Sequence, residues 1–506
     1  MQRSSFERRI ALEAGVLLAA ARLGLAVSPL RVVQAGLKLV ASLFPRNVPE
    51  TADVTSTVTW AVAGVGRRLP GTRCLPEALA AHRLLLHHGV PAQFRIGVQR
   101  PGERLAAHAW VESRGRVVVG ALDELPEYRP LEQDGERVVR GLANLLRRER
   151  VSWPDLATGA DRFLAACADQ DVTGLVHRAL AAHGAGWPAD LKREIAGRAR
   201  GEAGAEMVRA RETARVLDAL AAVGARALIY KGTALAYGVY PYPALRPRND
   251  TDLFIRESDR PAVDRTLQAI GYEATNLSGG DVLFRQYEVQ REDEFGLTHA
   301  LDIHWALSTQ TLFANLLDYD ELDASAVPLP ALGPNARTFG PADALLLACV
   351  HPAMHHQNEE RLIWLYDVHL LAERLSPADW RRFTDAATGK SVAAICRDAL
   401  ARAVSRLRTN VPGNVLHQLE RAAARNEPTA RYLETGRRWG DELASSLGAL
   451  SWRGRLRLMR EVAFPAPRYM LAAYGVSGAR LGPALLPALY VHRGARGVWK
   501  VLTGRK

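Results

Sequence analysis

Hydrophobic positions in the first 135 residues change from helical to strand spacing along the chain. Residues 5 to 45 have apolar side chains at helical spacing and predict two amphipathic helices separated at Pro29. Residues 74 to 89 predict another helix. The stretches AQFRIGVQ, AAHAWVES and GRVVVG that follow have the character of short strands. This order of elements predicts an α+β domain over residues 1–135.

The rest of the chain predicts a mixed core flanked by helices. Apolar spacing is helical over residues 160 to 225 and again almost throughout from residue 340. Strands are predicted between these regions at ARALIYKG, NDTDLFI, DVLFRQYEVQ and HALDIHWAL. The charged and polar residues 136–154 predict a linker. We therefore expect a multidomain α+β protein whose second domain covers residues 155–506, with its core at about 205–310 and a helical remainder.

Composition supports a globular protein and gives little support to nucleic-acid binding. The chain has 506 residues, is 48% hydrophobic and carries a net charge of +12, with only six lysines among its basic residues. No zinc-finger spacing and no basic motif interleaved with aromatic residues accompanies this charge. A solvated basic surface is therefore favoured, and no nucleic-acid partner is expected.

Cysteine spacing and the first residues bear on the compartment. The four cysteines are far apart and form no CxxC motif, which argues against a disulfide framework or a zinc site and favours a reducing cytoplasm. The start MQRSSFERRIALEAGVLLAAARLGLA is similar to a signal peptide, but Glu13 and Arg22 interrupt its apolar run. No stretch reaches the roughly 18 uninterrupted apolar residues of a membrane span. We expect a cytoplasmic protein without a membrane partner.

Cys74 and His108 form the first candidate site. Cys74 lies at the predicted start of the helix GTRCLPEALAAHRLLLHHG, where the helix dipole and free N–H groups favour a thiolate. His108, in the strand AAHAWVES, is placed to serve as a base for that thiol. Cysteine and histidine pairs are common by chance, so spacing alone favours a buried structural cysteine and an ordinary strand histidine.

The surrounding sequence adds a family resemblance. The segments PGTRCLPEALAAHRLLLHHGVPAQFRIGV and AHAWVE, preceded by helices, resemble the transglutaminase-like cysteine peptidase of lasso peptide biosynthesis. That family removes the leader from a ribosomally made precursor peptide. The resemblance implies a transglutaminase/papain-like fold, with Cys74 as the nucleophile and His108 as the general base. It also implies a separate leader-recognition protein and a separate ATP-dependent cyclase as partners.

The third member of this catalytic group departs from the family pattern. The family usually has an aspartate about twelve residues after the histidine to orient the imidazole, and this chain has Gly120 there. Asp123 is the expected replacement, and Glu124 is the neighbouring alternative. A peptidase with reduced activity is therefore an alternative interpretation of this domain.

Asp250 and Asp252 form the second candidate site. They lie two residues apart in the predicted strand NDTDLFI, so both side chains are expected on one face. Two neighbouring carboxylates repel each other unless a cation lies between them. Solvated acidic strand ends are common, and the motif alone is weak.

The segment LIYKGTALAYGVYPYPALRPRNDTDLFI, followed by the later LDIHW, resembles the nucleotidyltransferase superfamily. From about residue 155 onward, the chain is similar to a little-characterised nucleotidyltransferase family of peptide biosynthetic clusters. The resemblance implies Mg²⁺ and a nucleoside triphosphate. The implied metal ligands are Asp250, Asp252 and Asp302, and the implied nucleotide-binding residues are Gly232, Thr233 and Arg246.

Several neighbouring residues keep two interpretations. Lys231 is interpreted either as a contact to the nucleotide phosphates or as a solvated residue at the end of a strand. Arg248 is interpreted either as a phosphate contact or as the partner of Asp250 in a salt bridge. His351 and His355 are spaced at i, i+4 as in some zinc sites, but the HExxH order is missing and helical packing is favoured. Arg361 and Asp367 are expected to be structural, as a helix–helix ion pair.

The leading interpretation is a fused enzyme with two activities, a cysteine leader peptidase and a Mg²⁺-dependent nucleotidyltransferase, in the maturation of a lasso-type peptide. One alternative is that one domain is degenerate and acts only as a scaffold. Gly120 favours the peptidase domain as the one that has lost its activity. The other is a toxin-type nucleotidyltransferase that modifies a protein or tRNA. The acceptor of the transferred group stays open in each.

Overall fold

In a computed structural model, the chain forms two compact units, Met1–Val139 and Arg140–Lys506. The structure describes residues 4–28, 30–45, 49, 53–69, 74–99, 106–113, 116–122, 129–275, 285–308, 310–314, 316–424, 427–433, 452–474 and 482–503.

The first unit places helices before strands, as the sequence predicts. Its helices are α1 Ser5–Val27, α2 Leu30–Ala41, α3 Val54–Gly66 and α4 Cys74–His87, and its strands are β1 Gln93–Gln99, β2 Ala106–Ser113, β3 Arg116–Val119 and β4 Arg129–Pro130. The two helices predicted around Pro29, the helix from residue 74 and the three strands after it are all confirmed.

The sheet of the first unit has the strand order β3-β2-β1-β4, and all pairs are antiparallel. Alternate residues of β2, Ala109 and Val111, are buried in one core with Leu17 of α1, Val58 of α3 and Leu84 of α4. This alternation is what a strand with one face against a core requires. The unit therefore holds α4 against β2, the two elements that carry Cys74 and His108.

The helix α5 Leu131–Leu146 contains the boundary between the two units. The second unit continues with α6 Ala160–Asp169, α7 Thr173–His183, α8 Ala189–Ala222, β5 Ala227–Tyr230, α9 Lys231–Gly238, β6 Asp250–Ile255, α10 Arg260–Ala269, β7 Glu273–Ala274, β8 Gln286–Glu292, β9 Thr298–His304, α11 Thr311–Ala314, α12 Tyr319–Ser325, β10 Val327–Pro328 and β11 Arg337–Thr338. After the sheet the described elements are helical: α13 Pro341–His355, α14 Leu362–Ala372, α15 Pro377–Gly389, α16 Ala393–Leu407, α17 Gly413–Ala423, α18 Trp452–Ala463, α19 Pro467–Ala473 and α20 Gly482–Thr503.

The second unit is built on a seven-stranded sheet of order β10-β11-β5-β6-β9-β8-β7. The central strands β6 and β9 are parallel, whereas β5 and β8 run antiparallel to their neighbours β6 and β9. One face carries Leu253, Ile255, Leu301 and Ile303 in a core that also contains Val216 of α8, Leu217 of α8, Val263 of α10 and Leu267 of α10. Since strand side chains alternate, the intervening residues of β6 and β9 lie on the opposite face.

Three local expectations can be compared with the structure. The polar stretch 136–154 includes the end of α5 and a short 3₁₀ helix, Pro154–Leu156, and β10 and β11 extend the sheet beyond residue 310. Helix α10 follows a 3₁₀ turn, Glu257–Asp259, and is preceded directly by Asp259. Within the described residues, no helix has the length and apolar character needed to cross a bilayer.

Candidate active sites

Strand register assembles the acidic site of the second unit. In the parallel pair β6 and β9, Asp252 lies opposite Asp302 and Phe254 lies opposite His304. Asp250 is two residues before Asp252, so its side chain leaves the same face. The three aspartates expected from the sequence are therefore neighbours on the face of the sheet that does not carry the aliphatic core.

Asp252 is at the centre of the hydrogen bonds in this cluster. Lys231 Nζ donates to Asp252 Oδ1 over 2.6 Å, and His304 Nε2 donates to the same oxygen over 3.1 Å. His304 Nε2 also lies 4.0 Å from Asp302 Oδ2. One ligand atom each from Asp252, Asp302 and His304 lies within 4.8 Å of the others. Sequence reasoning missed His304, although its position two residues after Asp302 in LDIHW placed both on one strand face.

The charges in the cluster are unbalanced. Burial and the neighbouring Asp252 and Asp250 raise the pKa of Asp302 to about 7. Asp250 is an exposed residue at the start of β6, but protein atoms surround much of its carboxyl and remove water from it. This desolvation, and then the negative charge of Asp252, raise the pKa of Asp250 to about 6. Burial opposes ionisation of Asp252, but Lys231 and His304 outweigh it and hold the pKa of that carboxyl well below its usual range. The Lys231 ammonium thus stabilises the ionised form of Asp252, whereas repulsion from neighbouring carboxylates disfavours the ionised forms of Asp250 and Asp302.

This donor set fits a divalent cation such as Mg²⁺. Carboxylate oxygens are the ligands that Mg²⁺ prefers. Asp252 and Asp302 supply two of them close together, Asp250 lies on the same face of β6, and Lys231 supplies a compensating positive charge. His304 is neutral, since burial and then Lys231 lower its pKa to about 4, so it adds no second positive charge.

The beginning of α9 lies beside the carboxylates. Lys231 opens the helix with a φ of 52°, in the left-handed region, and its ammonium reaches Asp252. A Cβ added at Gly232 would make only ordinary contacts, the nearest at 3.7 Å to Arg248, so internal packing does not demand glycine there. Thr233 is 1% exposed, and its Oγ1 has no hydrogen-bond partner within the described part of the chain. The first turn of α9 therefore has space and an unpaired hydroxyl beside the acidic site.

The nucleotide contact expected of Arg246 is not the contact that the structure gives it. Arg246 Nε and Nη2 donate to Asp367 at 2.9 and 2.8 Å, and Tyr240 Oη donates to the same carboxylate at 2.6 Å. Sequence reasoning could not identify this partner because Asp367 belongs to a distant helix, α14. Arg246 thus joins the strand region to that helix by a buried ion pair, and a phosphate would have to compete with Asp367 for it.

Two other pairings also differ from those the sequence suggested. Arg248 pairs with Glu206, at 2.9 Å, rather than with the side chain of Asp250. Arg361 pairs with Asp171 at 3.0 Å and not with Asp367. His351 and His355 lie on α13, and burial lowers the pKa of both, as expected of packed neutral imidazoles. Among the described residues, neither belongs to a group that could hold a metal ion.

Cys74 is the first residue of α4 in the other unit, as the sequence predicts. It is partly buried, whereas Cys167, Cys349 and Cys396 are fully buried. Burial raises the pKa of the Cys167 thiol to about 12, which makes it a poor nucleophile. Of the four thiols, Cys74 therefore combines a helix N-terminus with partial exposure.

His108 is held by a backbone carbonyl. Its Nε2 donates to the carbonyl oxygen of Gly120 over 2.7 Å, and its ring stacks on Trp110 with centroids 6.2 Å apart. Burial raises the pKa of Glu77, and the electrostatic effects of Arg67 and then of His108 oppose that rise. Glu77 lies in the first turn of α4, so the imidazole is near the end of the helix that carries Cys74.

Gly120 is required by the geometry at its position. Its φ is 81°, and an added Cβ would lie 2.7 Å from the Ala109 carbonyl oxygen and 3.0 Å from Trp110 Cβ. An aspartate at this position would clash with the strand that carries His108. Asp123 and Glu124 lie outside the described residues, so the expected role of Asp123 stays a prediction.

Comparisons with known proteins agree with this division. Residues 16–133 match the transglutaminase-like superfamily. Residues 157–427, more than half of the chain, match the family described as uncharacterised nucleotidyltransferase. No match was found among curated proteins. The protein therefore belongs to the uncharacterised nucleotidyltransferase family and carries a transglutaminase-like domain ahead of its nucleotidyltransferase domain.

Proposed function

We propose that the protein is a two-activity maturation enzyme for a ribosomally synthesised, lasso-type peptide. The transglutaminase-like domain cleaves the leader, and the nucleotidyltransferase domain transfers a nucleotidyl or related group from a nucleoside triphosphate. The observation that carries the proposal is the pairing of Asp252 with Asp302 on adjacent strands, with Asp250 on the same face and Lys231 of α9 bonded to Asp252. The precursor peptide, a separate leader-recognition protein and an ATP-dependent cyclase are the proposed partners.

The acidic site supports the transferase half of the proposal. Asp250, Asp252 and Asp302 would hold a divalent cation, expected to be Mg²⁺, which when bound neutralises charge on the phosphates. Helix α9 begins at Lys231, whose ammonium bonds to Asp252, so the N-terminus of this helix lies next to the acidic site. Lys231 already lies in this region and supplies a positive charge that phosphate oxygens can share.

The thiol site supports the peptidase half. When His108 Nε2 donates to the Gly120 carbonyl, the lone pair of a neutral imidazole lies on Nδ1, which is the nitrogen that acts as base. The Cys74 thiolate attacks the carbonyl carbon of the scissile peptide bond, and the imidazolium protonates the departing amine. Water then hydrolyses the thioester and regenerates the thiol. Asp123 remains the proposed third member, supporting the positive charge of the imidazolium.

One alternative has a structural observation in its favour. At the position where the peptidase family usually has an aspartate, the backbone carbonyl of Gly120 accepts a hydrogen bond from His108 Nε2. A neutral acceptor fixes the orientation of the imidazole but stabilises its charged form less than a carboxylate does. The transglutaminase-like domain would in that case be a scaffold that presents the peptide to the transferase.

Mass spectrometry tests both activities at once. The precursor peptide is incubated with the protein, the recognition protein, Mg²⁺ and each nucleoside triphosphate in turn. We expect loss of the leader mass without nucleotide, and an added nucleotidyl mass only with Mg²⁺ and one preferred triphosphate. A peptide that gains the nucleotidyl mass but keeps its leader favours the scaffold alternative. Modification of a tRNA or of an unrelated protein, with the precursor unchanged, favours the toxin-type alternative.

A further inference from the structure

A cavity lies beside the acidic site, between α9, α13, α14 and the end of β11. Its volume is about 220 Å³, larger than the roughly 150 Å³ cavity that accommodates a benzene ring. Most of its wall is hydrophobic, formed by aliphatic side chains together with two aromatic ones, Phe339 and Trp364. Such a cavity has the size and lining of a site for a ring or a branched aliphatic group.

One end of the cavity is polar and adjoins the carboxylates. Lys231, which donates to Asp252, lines this end together with Tyr230 and His351. Tyr230 is 1% exposed, and neither its Oη nor His351 Nδ1 has a hydrogen-bond partner within the described residues. Buried polar groups without partners are costly, so a ligand group that reaches either atom gains a hydrogen bond that the described residues do not supply.

Three other polar side chains of the wall are already paired. Arg246 and Asp367 bond to each other, and Arg374 donates to the Gly238 carbonyl over 2.8 Å. A nucleobase carries several hydrogen-bonding groups and would leave most of them unpaired in this wall. A group with an apolar body and one polar end fits the distribution better.

We infer that this cavity binds the acceptor of the transfer reaction. The acceptor group is a side chain with an apolar or aromatic body and a terminal hydroxyl, as in tyrosine. The inference rests on the proposed nucleotidyltransferase function. The hydroxyl lies at the end lined by Tyr230, Lys231 and His351, next to the acidic site. In the reaction, the acceptor oxygen forms a bond to the α-phosphorus, whose bond to the bridging oxygen breaks. Pyrophosphate leaves with that electron pair, and the hydroxyl proton passes to water.

Helix α13 offers substitutions that fill the cavity without entering the core. Ala344, Ala348 and His351 are spaced at i, i+4 and i+7, so they share one face of the helix, and all three line the cavity. Both alanines are partly exposed. The variants are Ala348→Phe and the smaller Ala344→Leu, and the control is Ala401→Leu on the exposed face of α16.

The experiment measures binding of N-acetyl-L-tyrosinamide to the full chain by calorimetry or ligand-observed NMR, without nucleotide. We expect wild type and Ala401→Leu to bind this probe equally, and both cavity variants to bind it about tenfold more weakly or worse. Affinity for Mg²⁺ with nucleoside triphosphate should stay within about twofold in every variant. Thermal melting reports whether each variant is folded, and Ala344→Leu replaces Ala348→Phe if the latter is not.

A second probe tests the polar end. N-acetyl-L-phenylalaninamide, which lacks the hydroxyl, should bind wild type several-fold more weakly, and His351→Phe should remove the difference between the two probes. The inference is overturned if wild type does not bind the tyrosine probe, if the filled variants bind it normally, or if filling the cavity weakens nucleotide binding instead. Failure of the transferase proposal gives a different result, namely loss of nucleotide binding in wild type.

Discussion

The two candidate sites differ in what holds their reactive side chains. In the second unit, the register of β6 and β9 brings Asp252 and Asp302 together as side chains of adjacent strands. In the first unit, His108 is held by the main chain, through the carbonyl oxygen of Gly120. A site assembled from side chains can be altered one ligand at a time. The carbonyl that holds His108 is moved only by changing the conformation of the chain.

The largest expected effects separate the two sites completely. Asp252→Asn removes a carboxylate that the cation requires, and we expect nucleotidyl transfer to fall about 10³-fold or more while leader cleavage is unchanged. Cys74→Ala should lower leader cleavage about 10⁴-fold or more and leave transfer intact. Both activities are measured by mass spectrometry in each folded variant, with Cys167→Ser as the thiol control. Loss of cleavage in a folded Asp252→Asn variant would show that the two sites are coupled and do not act independently.

A second prediction concerns the backbone carbonyl. Gly120→Ala forces a Cβ to within 2.7 Å of the Ala109 carbonyl oxygen at a φ of 81°, so we expect a loss of roughly 1–3 kcal/mol in unfolding free energy and most of the cleavage activity. Gly120→Asp should also lose activity, although it restores the residue usual in the family. The matched control is Gly89→Ala, which has a φ of 80° but no atom within 4 Å of the added Cβ.

Chemical denaturation and leader cleavage are measured on all three variants. Gly89→Ala should cost less stability and keep its activity. A Gly120→Asp variant that is as stable as wild type and cleaves faster would show that the carbonyl is a poor substitute for a carboxylate, and that this site too can be tuned by one side chain.

A third, smaller effect concerns Asp123. Since the Gly120 carbonyl already orients His108, we expect Asp123→Asn to slow cleavage only about tenfold, through weaker support of the imidazolium charge. Glu124→Gln should have no effect. Mass spectrometry of the precursor measures the rate of leader cleavage by each variant. Equal effects of both variants would remove the special role of Asp123.

The smallest effect is the pH dependence of stabilisation by Mg²⁺. The folded pKa values of about 7 for Asp302 and about 6 for Asp250 lie above those of an unfolded chain. Without metal, the folded state therefore binds more protons between about pH 4 and pH 7 and loses stability as pH rises through that window. Cation binding requires both carboxylates to be ionised, so its stabilisation grows over the same window.

Melting curves with and without Mg²⁺ at about pH 5 and pH 8 measure this difference. A hundredfold excess of Mg²⁺ over its Kd stabilises the protein by about 2.7 kcal/mol, and we expect this near pH 8 and clearly less near pH 5. Asp302→Asn is the control and should reduce the shift at both values. An equal shift at the two pH values would argue against proton release from this cluster.

The sequence determined local features that depend on the spacing of nearby residues. Helical periodicity placed the start of α4 at Cys74, and the strand alternation of NDTDLFI placed Asp250 and Asp252 on one face. The same rule applied to LDIHW places His304 on one strand face with Asp302. Such features follow from the geometry of a single element and need no knowledge of its partners.

The tertiary structure decided which elements meet. The pairing of Asp252 with Asp302, the bond of Lys231 to Asp252 and the ion pair of Arg246 with Asp367 all join residues from different elements. A sequence names charged residues without naming their partners, because many pairings satisfy the same charges. The choice is made by the register and packing of the whole unit. A backbone carbonyl such as that of Gly120 is present at every residue, so only the folded chain reveals that this one holds His108.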